Sequence, residues 1–196
     1  MIRKEDVIAY FDALAPAWDD SIVCCGEKIR FILDHAGVQA GKHVLDVACG
    51  TGVMIPYYLE RGAGSVTAVD ISPEMIRIAR SKFPQEQVRF ICGDIEETDA
   101  GRDYDAIVVY NAFPHFQDPE RLIGVLSGLL KPGGRLTVAH GMSREKLEEH
   151  HSGPARKVSN GLMEADRLAA LFSKTLRPAF VFSTEAMYQV TGVRAE

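Results

Sequence analysis

Apolar runs of strand length alternate with segments of helical spacing through the middle of this chain. The predicted strands are His43–Cys49, Ser65–Asp70, Val88–Cys92, Tyr104–Tyr110 and Arg135–His140. The predicted helices between them are Val53–Arg61, Pro73–Phe83 and Pro119–Leu130. Strands that alternate with helices predict a parallel sheet with helices on both faces.

Both ends of the chain depart from this alternation. Apolar residues at helical spacing predict an N-terminal helix that ends at Pro16 and a second helix over Glu27–His35. A predicted helix over Asp166–Leu176 is followed by two β-like runs with no room for a helix between them, so we expect an antiparallel pair at the sheet edge. These runs are Ala179–Ser183 and Met187–Val193. The expected fold is α/β: a Rossmann-like, doubly wound, seven-stranded sheet, mostly parallel with an antiparallel last strand.

Composition and charge narrow the range of partners. Apolar residues make up 46% of the 196 residues, enough for a full core, and the net charge is −5. Nucleic acid or an anionic membrane surface is not expected as a partner, because phosphate binding needs a basic surface. No apolar run has the length of a membrane span, and the first residues carry charges instead of a signal core. The four cysteines form no CxxC pair, which favours reduced thiols and a cytoplasmic location.

A glycine-rich turn at residues 48–52 carries the clearest chemical signal. It follows an apolar strand, and the second strand ends on Asp70. This layout is typical of a site for a nucleotide-type cofactor, because glycine permits close approach and an acid accepts hydrogen bonds from ribose hydroxyls. An NAD site would place a third glycine after Gly52, and a P-loop would need lysine followed by Ser or Thr. Neither pattern is present, and the third candidate is S-adenosylmethionine (SAM), a cofactor without phosphate.

Five motifs in order resemble the class I SAM-dependent methyltransferases, in the ubiquinone/menaquinone-biosynthesis-like group with a methyltransferase type 11/25 domain. The resemblance spans roughly residues 40–141. The matching motifs are Asp46–Gly52, Val69–Met75, Gly93–Ile95, Tyr104–Asn111 and Leu130–Gly134. The resemblance implies transfer of a methyl group from SAM to a small-molecule acceptor, with S-adenosylhomocysteine (SAH) as product and no metal required.

By this resemblance, three acids and the glycine turn would hold the cofactor. Asp70 would bind both ribose hydroxyls, Asp94 would accept a hydrogen bond from the adenine amino group, and Asp46 would orient the turn and the cofactor's own amino group. Gly50 and Gly52 would let the methionine part lie over the turn. The other implied cofactor contacts are Ala48, where the family more often has glycine, together with Ile71, Met75 and Ile95. Asn111, after the fourth predicted strand, could hold the methionine end of the cofactor or a polar group of the substrate.

Histidines at the carboxyl end of the predicted sheet are the candidate bases. His115 follows the fourth strand and His140 closes the fifth, and either could deprotonate an acceptor near neutral pH. His150 and His151 lie in a polar segment that could fold over the cleft. A substrate pocket under the N-terminal helices is predicted from Tyr10, Trp18, Phe113 and Phe116.

With no repeat, low-complexity tract or linker, the chain is expected to form one domain. We assign 1–36 to an N-terminal helical lid, 40–141 to the cofactor-binding core, 142–163 to a cleft-covering segment, and 164–196 to a helix and a C-terminal β-hairpin.

Three other functions remain open. Adjacent Cys24 and Cys25, with His115 and His140 across the cleft, could bind a soft metal or metalloid and make the chain a thiol or metalloid methyltransferase. Adjacent cysteines are poor ligands for one metal ion, so no metal site is predicted. The chain could also bind SAM or SAH without catalysis, as a regulatory or scaffold protein. The third alternative is an NAD-dependent oxidoreductase.

Overall fold

The computed structural model describes residues 2–21, 25–150 and 154–196. Its strands are β1 His43–Val47, β2 Ser65–Asp70, β3 Val88–Cys92, β4 Tyr104–Tyr110, β5 Leu130–His140, β6 Arg177–Ser183 and β7 Tyr188–Val193. Its α-helices are α1 Lys4–Leu14, α2 Trp18–Ser21, α3 Gly26–Ala36, α4 Ile55–Glu60, α5 Pro73–Lys82, α6 Pro119–Leu129, α7 Arg144–His150 and α8 Ala165–Phe172. Short 3₁₀ helices cover Ala15–Ala17, Phe113–His115 and Pro154–Val158.

The strands form one sheet in the order β3-β2-β1-β4-β5-β7-β6. All neighbouring strands run parallel except β7, which is antiparallel to both β5 and β6. The predicted fold class, including the antiparallel pair at the edge, is confirmed. The chain order of the strands reverses between β1 and β4, and ligands of such sheets bind at the carboxyl ends of the strands beside this reversal.

The two faces of the sheet are both buried, as a parallel sheet requires. In β4, Ile107 and Val109 belong to one apolar cluster, which includes residues of α6 and α8. Ala106 and Val108 belong to a second cluster on the other face, which includes residues of α3 and α4. The central strands are therefore held between two layers of helices.

Some element ends differ from the predicted ones. The first strand stops at Val47 instead of Cys49, because Ala48 turns into the left-handed region at φ 55°. The fifth strand begins at Leu130 instead of Arg135, since Leu130 pairs with Tyr104 before the register shifts. Helix α6 ends before the Pro132-Gly133-Gly134 sequence, as expected. That sequence itself lies inside the irregular first part of β5.

Within the three described stretches of chain, no helix is long and apolar enough to cross a membrane.

Candidate active site

The glycine turn leaves β1 in a conformation that favours residues without a side chain. Gly50 and Gly52 have φ of 54° and 88°. A Cβ on Gly52 would lie 2.6 Å from a ring carbon of Phe83 and 2.9 Å from the δ-methyl of Ile55, so the turn is packed tightly on its outer side. Ala48 adopts φ 55°, a strained value for a residue with a Cβ.

Asp70 connects the carboxyl end of β2 to this turn. Its Oδ2 accepts a hydrogen bond from the Gly50 N–H at 2.8 Å, and its Oδ1 accepts one from the Ser72 N–H at 2.8 Å. Burial raises the pKa of Asp70 to about 6, and the neighbouring Asp12 charge adds to the increase, while the N–H donors act in the opposite direction. The carboxylate is thus fixed in position beside the turn and titrates near neutral pH.

A cavity of about 310 Å³ opens at the carboxyl ends of β1, β2 and β4. The structure brings most of the predicted site residues to its wall. The predicted residues that line it are Trp18, Ala48, Gly50, Asp70, Ile71, Met75, Asp94, Ile95, Asn111, His115 and Phe116. Ligand pockets begin at about this volume, so the cavity can hold a small molecule.

Asp94 follows β3 at one end of the cavity. Its Oδ1 accepts a hydrogen bond from the Glu96 N–H at 2.9 Å, and its Oδ2 pairs with the ammonium of Lys4. Glu96 lies beside it on the cavity wall, 3.2 Å from the guanidinium of Arg121, and burial raises the pKa of Glu96. This end of the cavity is therefore polar and mostly acidic.

His115 and Asn111 follow β4 on the opposite wall. His115 Nδ1 lies 2.7 Å from the carbonyl oxygen of Val158. A carbonyl oxygen can only accept, so Nδ1 is the donor in this contact. Asn111 adopts φ 55°, and its Oδ1 accepts a hydrogen bond from the Gly141 N–H at 2.9 Å. Both side chains are therefore held by main-chain groups of later segments.

The N-terminal helices cover the cavity and are bonded to the cofactor turn. Thr51 donates to Asp19 of α2 at 2.5 Å, and Ser72 donates to Asp12 of α1 at 2.5 Å. The Phe11 ring meets His115 edge-on, with ring centroids 4.9 Å apart. These contacts place α1 and α2 directly over the glycine turn and the candidate base.

The other predicted site residues lie away from the cavity wall. His140 on β5 is fully buried, with its ring centroid 6.1 Å from that of Tyr188 on β7, so the structure does not place this candidate base in the cavity. Phe113 belongs to the apolar core. Tyr10 packs beside the cluster of Ile2, Val7 and Val158, and Gly52 lies on the outer side of the turn.

Asp46 lies behind the cavity, inside β1. Its Oδ1 accepts a hydrogen bond from the Tyr58 hydroxyl at 3.2 Å, and its Oδ2 is buried with no hydrogen-bond partner among the described residues. Burial raises the pKa of Asp46 to about 8, with a further increase from the Asp70 charge. A contact from Asp46 to the cofactor therefore stays a prediction.

Sequence reasoning missed several residues of the cavity wall. They come from the start of α1 and from the segment that enters α6, and they are Ile2, Lys4, Val7, Gln117, Asp118 and Arg121. The apolar stripe of α1 predicted the helix but not the place where it docks. Cys24 and His151 lie outside the described residues, as does the side chain of His150, and Cys25 is exposed.

Comparisons with known proteins place this chain among sequences of methyltransferases. Residues 44–134 match the family model for a methyltransferase domain. The demethylmenaquinone methyltransferase of Renibacterium salmoninarum is 29% identical over 192 residues, which are 94% of this chain and 77% of that protein. The malonyl-(acyl-carrier protein) O-methyltransferase of Acetivibrio thermocellus is 38% identical over 164 residues, which are 81% of this chain but only 58% of that protein.

The fold also matches a solved structure over nearly the whole chain. Magnesium protoporphyrin IX methyltransferase (ChlM) from Synechocystis PCC 6803, with bound SAH, superposes with a TM-score of 0.71 at 19% identity. The match covers 98% of this chain and 100% of that one. At this identity the likeness concerns the fold alone.

Proposed function

Because this chain belongs to the class I SAM-dependent methyltransferases, we propose that it transfers the methyl group of SAM to a small-molecule acceptor inside the cavity over the glycine turn. The observation that carries the proposal is the position of Asp70. Asp70 lines the cavity, and its carboxylate is fixed there by the Gly50 and Ser72 N–H groups. A SAM site needs such an acid for the ribose and needs no phosphate cradle.

The cavity wall supplies the remaining contacts for the cofactor. Ile71 and Met75 would pack on the adenine ring, Asp94 would accept from the adenine amino group, and the methionine part would lie over Gly50. Asn111 would contact the methionine end through its amide nitrogen, since its Oδ1 is bonded to Gly141. These assignments depend on the family motifs and on the shared wall that the residues form.

We assign the acceptor to the aromatic part of the cavity. Phe11 packs edge-on against both Trp18 and His115, with ring centroids 5.7 and 4.9 Å apart, and Phe116 adds a further ring to the wall. An acceptor with a small, flat or apolar body would pack against these rings from the cavity side. The N-terminal helices supply much of this surface, so they would contribute to selecting the acceptor.

His115 is the proposed base for acceptors whose nucleophile carries a proton. SAM held over Gly50 would supply an electrophilic methyl group, with SAH as the leaving group that takes the electron pair of the carbon–sulfur bond. The acceptor proton would pass to Nε2, because Nδ1 already donates to the Val158 carbonyl. The protein would otherwise act by alignment of the two reactants.

Isothermal titration with SAM, SAH and NADH tests the cofactor site directly. We expect binding of SAM and SAH and none of NADH. Asp70→Ala should lose about 1.5–3 kcal/mol, or roughly 10- to 150-fold in affinity, because a charge-assisted hydrogen bond to the ribose disappears. Asp34→Ala is the matched control, since Asp34 is an exposed acid that pairs with Arg61. Equal affinities in folded Asp70→Ala and wild type would remove Asp70 from the site.

SAH release from a panel of small aromatic and acidic acceptors tests the catalytic step. His115→Ala should keep its affinity for SAH and lose roughly 10²- to 10⁴-fold in turnover, the usual contribution of a general base. His43→Ala, at the exposed start of β1, is the control. Full turnover in His115→Ala would show that the acceptor needs no base at this position.

A further inference from the structure

Lys4 occupies a charged position at the cavity that the proposed function does not use. It is the first residue of α1, and it lines the cavity together with Ile2. Its ammonium pairs with Asp94 and also donates to Glu97 Oε1 at 2.6 Å. The two acids raise the pKa of Lys4, so it stays charged at physiological pH.

Asp94 already has one donor on each carboxylate oxygen. Its Oδ1 accepts from the Glu96 N–H, and Lys4, which pairs with Oδ2, also lines the cavity. The Asp94 side chain is only 12% exposed, whereas that of Lys4 is 40% exposed. The main access to Asp94 is therefore through the cavity, where Lys4 also lies.

The N-terminal residues also cover the adenine end by packing. Ile2 is buried in a cluster with Val7 and Val158, and Ile71, a proposed adenine contact, packs against the same cluster. Farther along the lid, Asp12 and Asp19 are bonded to Ser72 and Thr51. The lid is thus held at both ends, by the Ile2 cluster beside the adenine end and by hydrogen bonds to the turn and to α5.

We propose that Lys4 competes with the cofactor for Asp94 and thereby sets the cofactor affinity of this enzyme. The adenine amino group donates to the same carboxylate that Lys4 occupies, so binding requires Lys4 to withdraw to Glu97 or to solvent. An ion pair at this exposure is weakened by salt, and so is the competition. This inference rests on the proposed function, because it assumes that Asp94 receives the adenine.

Titration with SAH separates this competition from long-range electrostatics, because SAH is a zwitterion without net charge near neutral pH. Lys4→Gln should bind SAH roughly two- to fivefold more tightly than wild type, in line with the loss of a partly exposed ion pair. Raising the salt concentration should strengthen SAH binding to wild type and leave that of Lys4→Gln unchanged. Lys4→Arg keeps the ion pair and should behave as wild type.

Arg3→Gln is the matched control, because it removes the same charge at the neighbouring residue. The Arg3 side chain pairs with Asp6 at the surface. A second probe, S-inosylhomocysteine, carries an oxygen in place of the adenine amino group. That oxygen cannot donate to Asp94 and can accept from Lys4, so the gain in Lys4→Gln should disappear with this probe.

The outcomes separate the inference from the function on which it rests. Equal or weaker SAH binding in Lys4→Gln than in wild type would overturn the competition and leave the cofactor site intact. A gain of the same size in Arg3→Gln, or with S-inosylhomocysteine, would also overturn it, because the effect would then not pass through Asp94. Failure of every variant and of wild type to bind SAH would instead refute the proposed function.

Discussion

Replacement of Asp46 by Asn should change how the stability of the protein depends on pH. Asp46 is buried inside β1, with Tyr58 as its hydrogen-bond donor, and burial raises its pKa from an ordinary 3.8 to about 8. The folded protein therefore holds a proton on this group at pH values where the unfolded chain has lost it. The contribution of this bound proton to the free energy of unfolding is complete below pH 3.8 and is lost as the pH rises through about 8.

The size of the effect follows from the width of this window. Between the two pKa values each pH unit changes the free energy of unfolding by about 1.4 kcal/mol. From pH 5 to pH 7.5 the wild type should thus lose about 3 kcal/mol relative to Asp46→Asn. Any constant cost of fitting the Asn amide beside Tyr58 cancels, because only the change with pH is compared.

Urea denaturation followed by circular dichroism at pH 5, 6.25 and 7.5 measures this difference. Asp20→Asn, which removes an exposed carboxylate of α2, serves as the control for the loss of one negative charge. The free energy of unfolding of Asp46→Asn should rise relative to that of wild type at each increase in pH. A difference that stays constant across the three pH values would show that Asp46 titrates alike in the folded and unfolded chains, and the reasoning would fail.

Three further predictions address the turn, the cofactor site and the sheet. Gly52→Ala should lower the free energy of unfolding by about 2–4 kcal/mol, because Gly52 has φ 88° and Phe83 lies close to it. Gly133→Ala, with φ 75° and open space around it, should lower it by only about 1 kcal/mol, and thermal denaturation measures both. SAH affinity should fall as the pH drops through about 6, the pKa of Asp70, because the protonated acid accepts ribose hydroxyls less well; titrations from pH 5 to 7.5 check this. Asp105→Ala should cost about 1.5–3 kcal/mol in urea denaturation, since Asp105 accepts from the His43 N–H and from Lys42 and Lys131.

The sheet was predictable because the apolar runs and the turn residues act locally. Contacts between strands that are distant in sequence were harder to predict from the sequence. Leu130 extends β5 because it meets Tyr104, although the Lys-Pro-Gly-Gly sequence that follows it is typical of a turn. His140 was correctly placed at a strand end, but Tyr188 of β7 lies opposite it and covers it from a position 48 residues later in the chain.

The same division applies to the candidate site. Asp70 and Gly50 were found from the turn motif, because their contact depends on two adjacent strands and one turn. The family, the fold and the cofactor are confirmed, whereas the roles of individual residues stay predictions. Lys4 could not be found, since its contact with Asp94 depends on where α1 docks. That docking is set by Asp12 and Asp19, whose partners are revealed only by the folded chain.

Four unfavourable features of the fold lie at or behind the cavity, whereas another left-handed residue, Asp103, precedes the other end of β4. Ala48 and Asn111 hold left-handed conformations at the ends of β1 and β4, a strain of about 1–3 kcal/mol each, and Asp46 and Asp70 are buried acids with raised pKa values. Folding alone gives no reason to keep these features, because an apolar residue or a glycine would relieve each of them. Binding does give a reason, since the two strained residues turn the main chain around one cavity and Asp70 presents an acid to it. The strained residues and buried acids thus mark the carboxyl ends of β1, β2 and β4 as the part of the sheet shaped for a ligand.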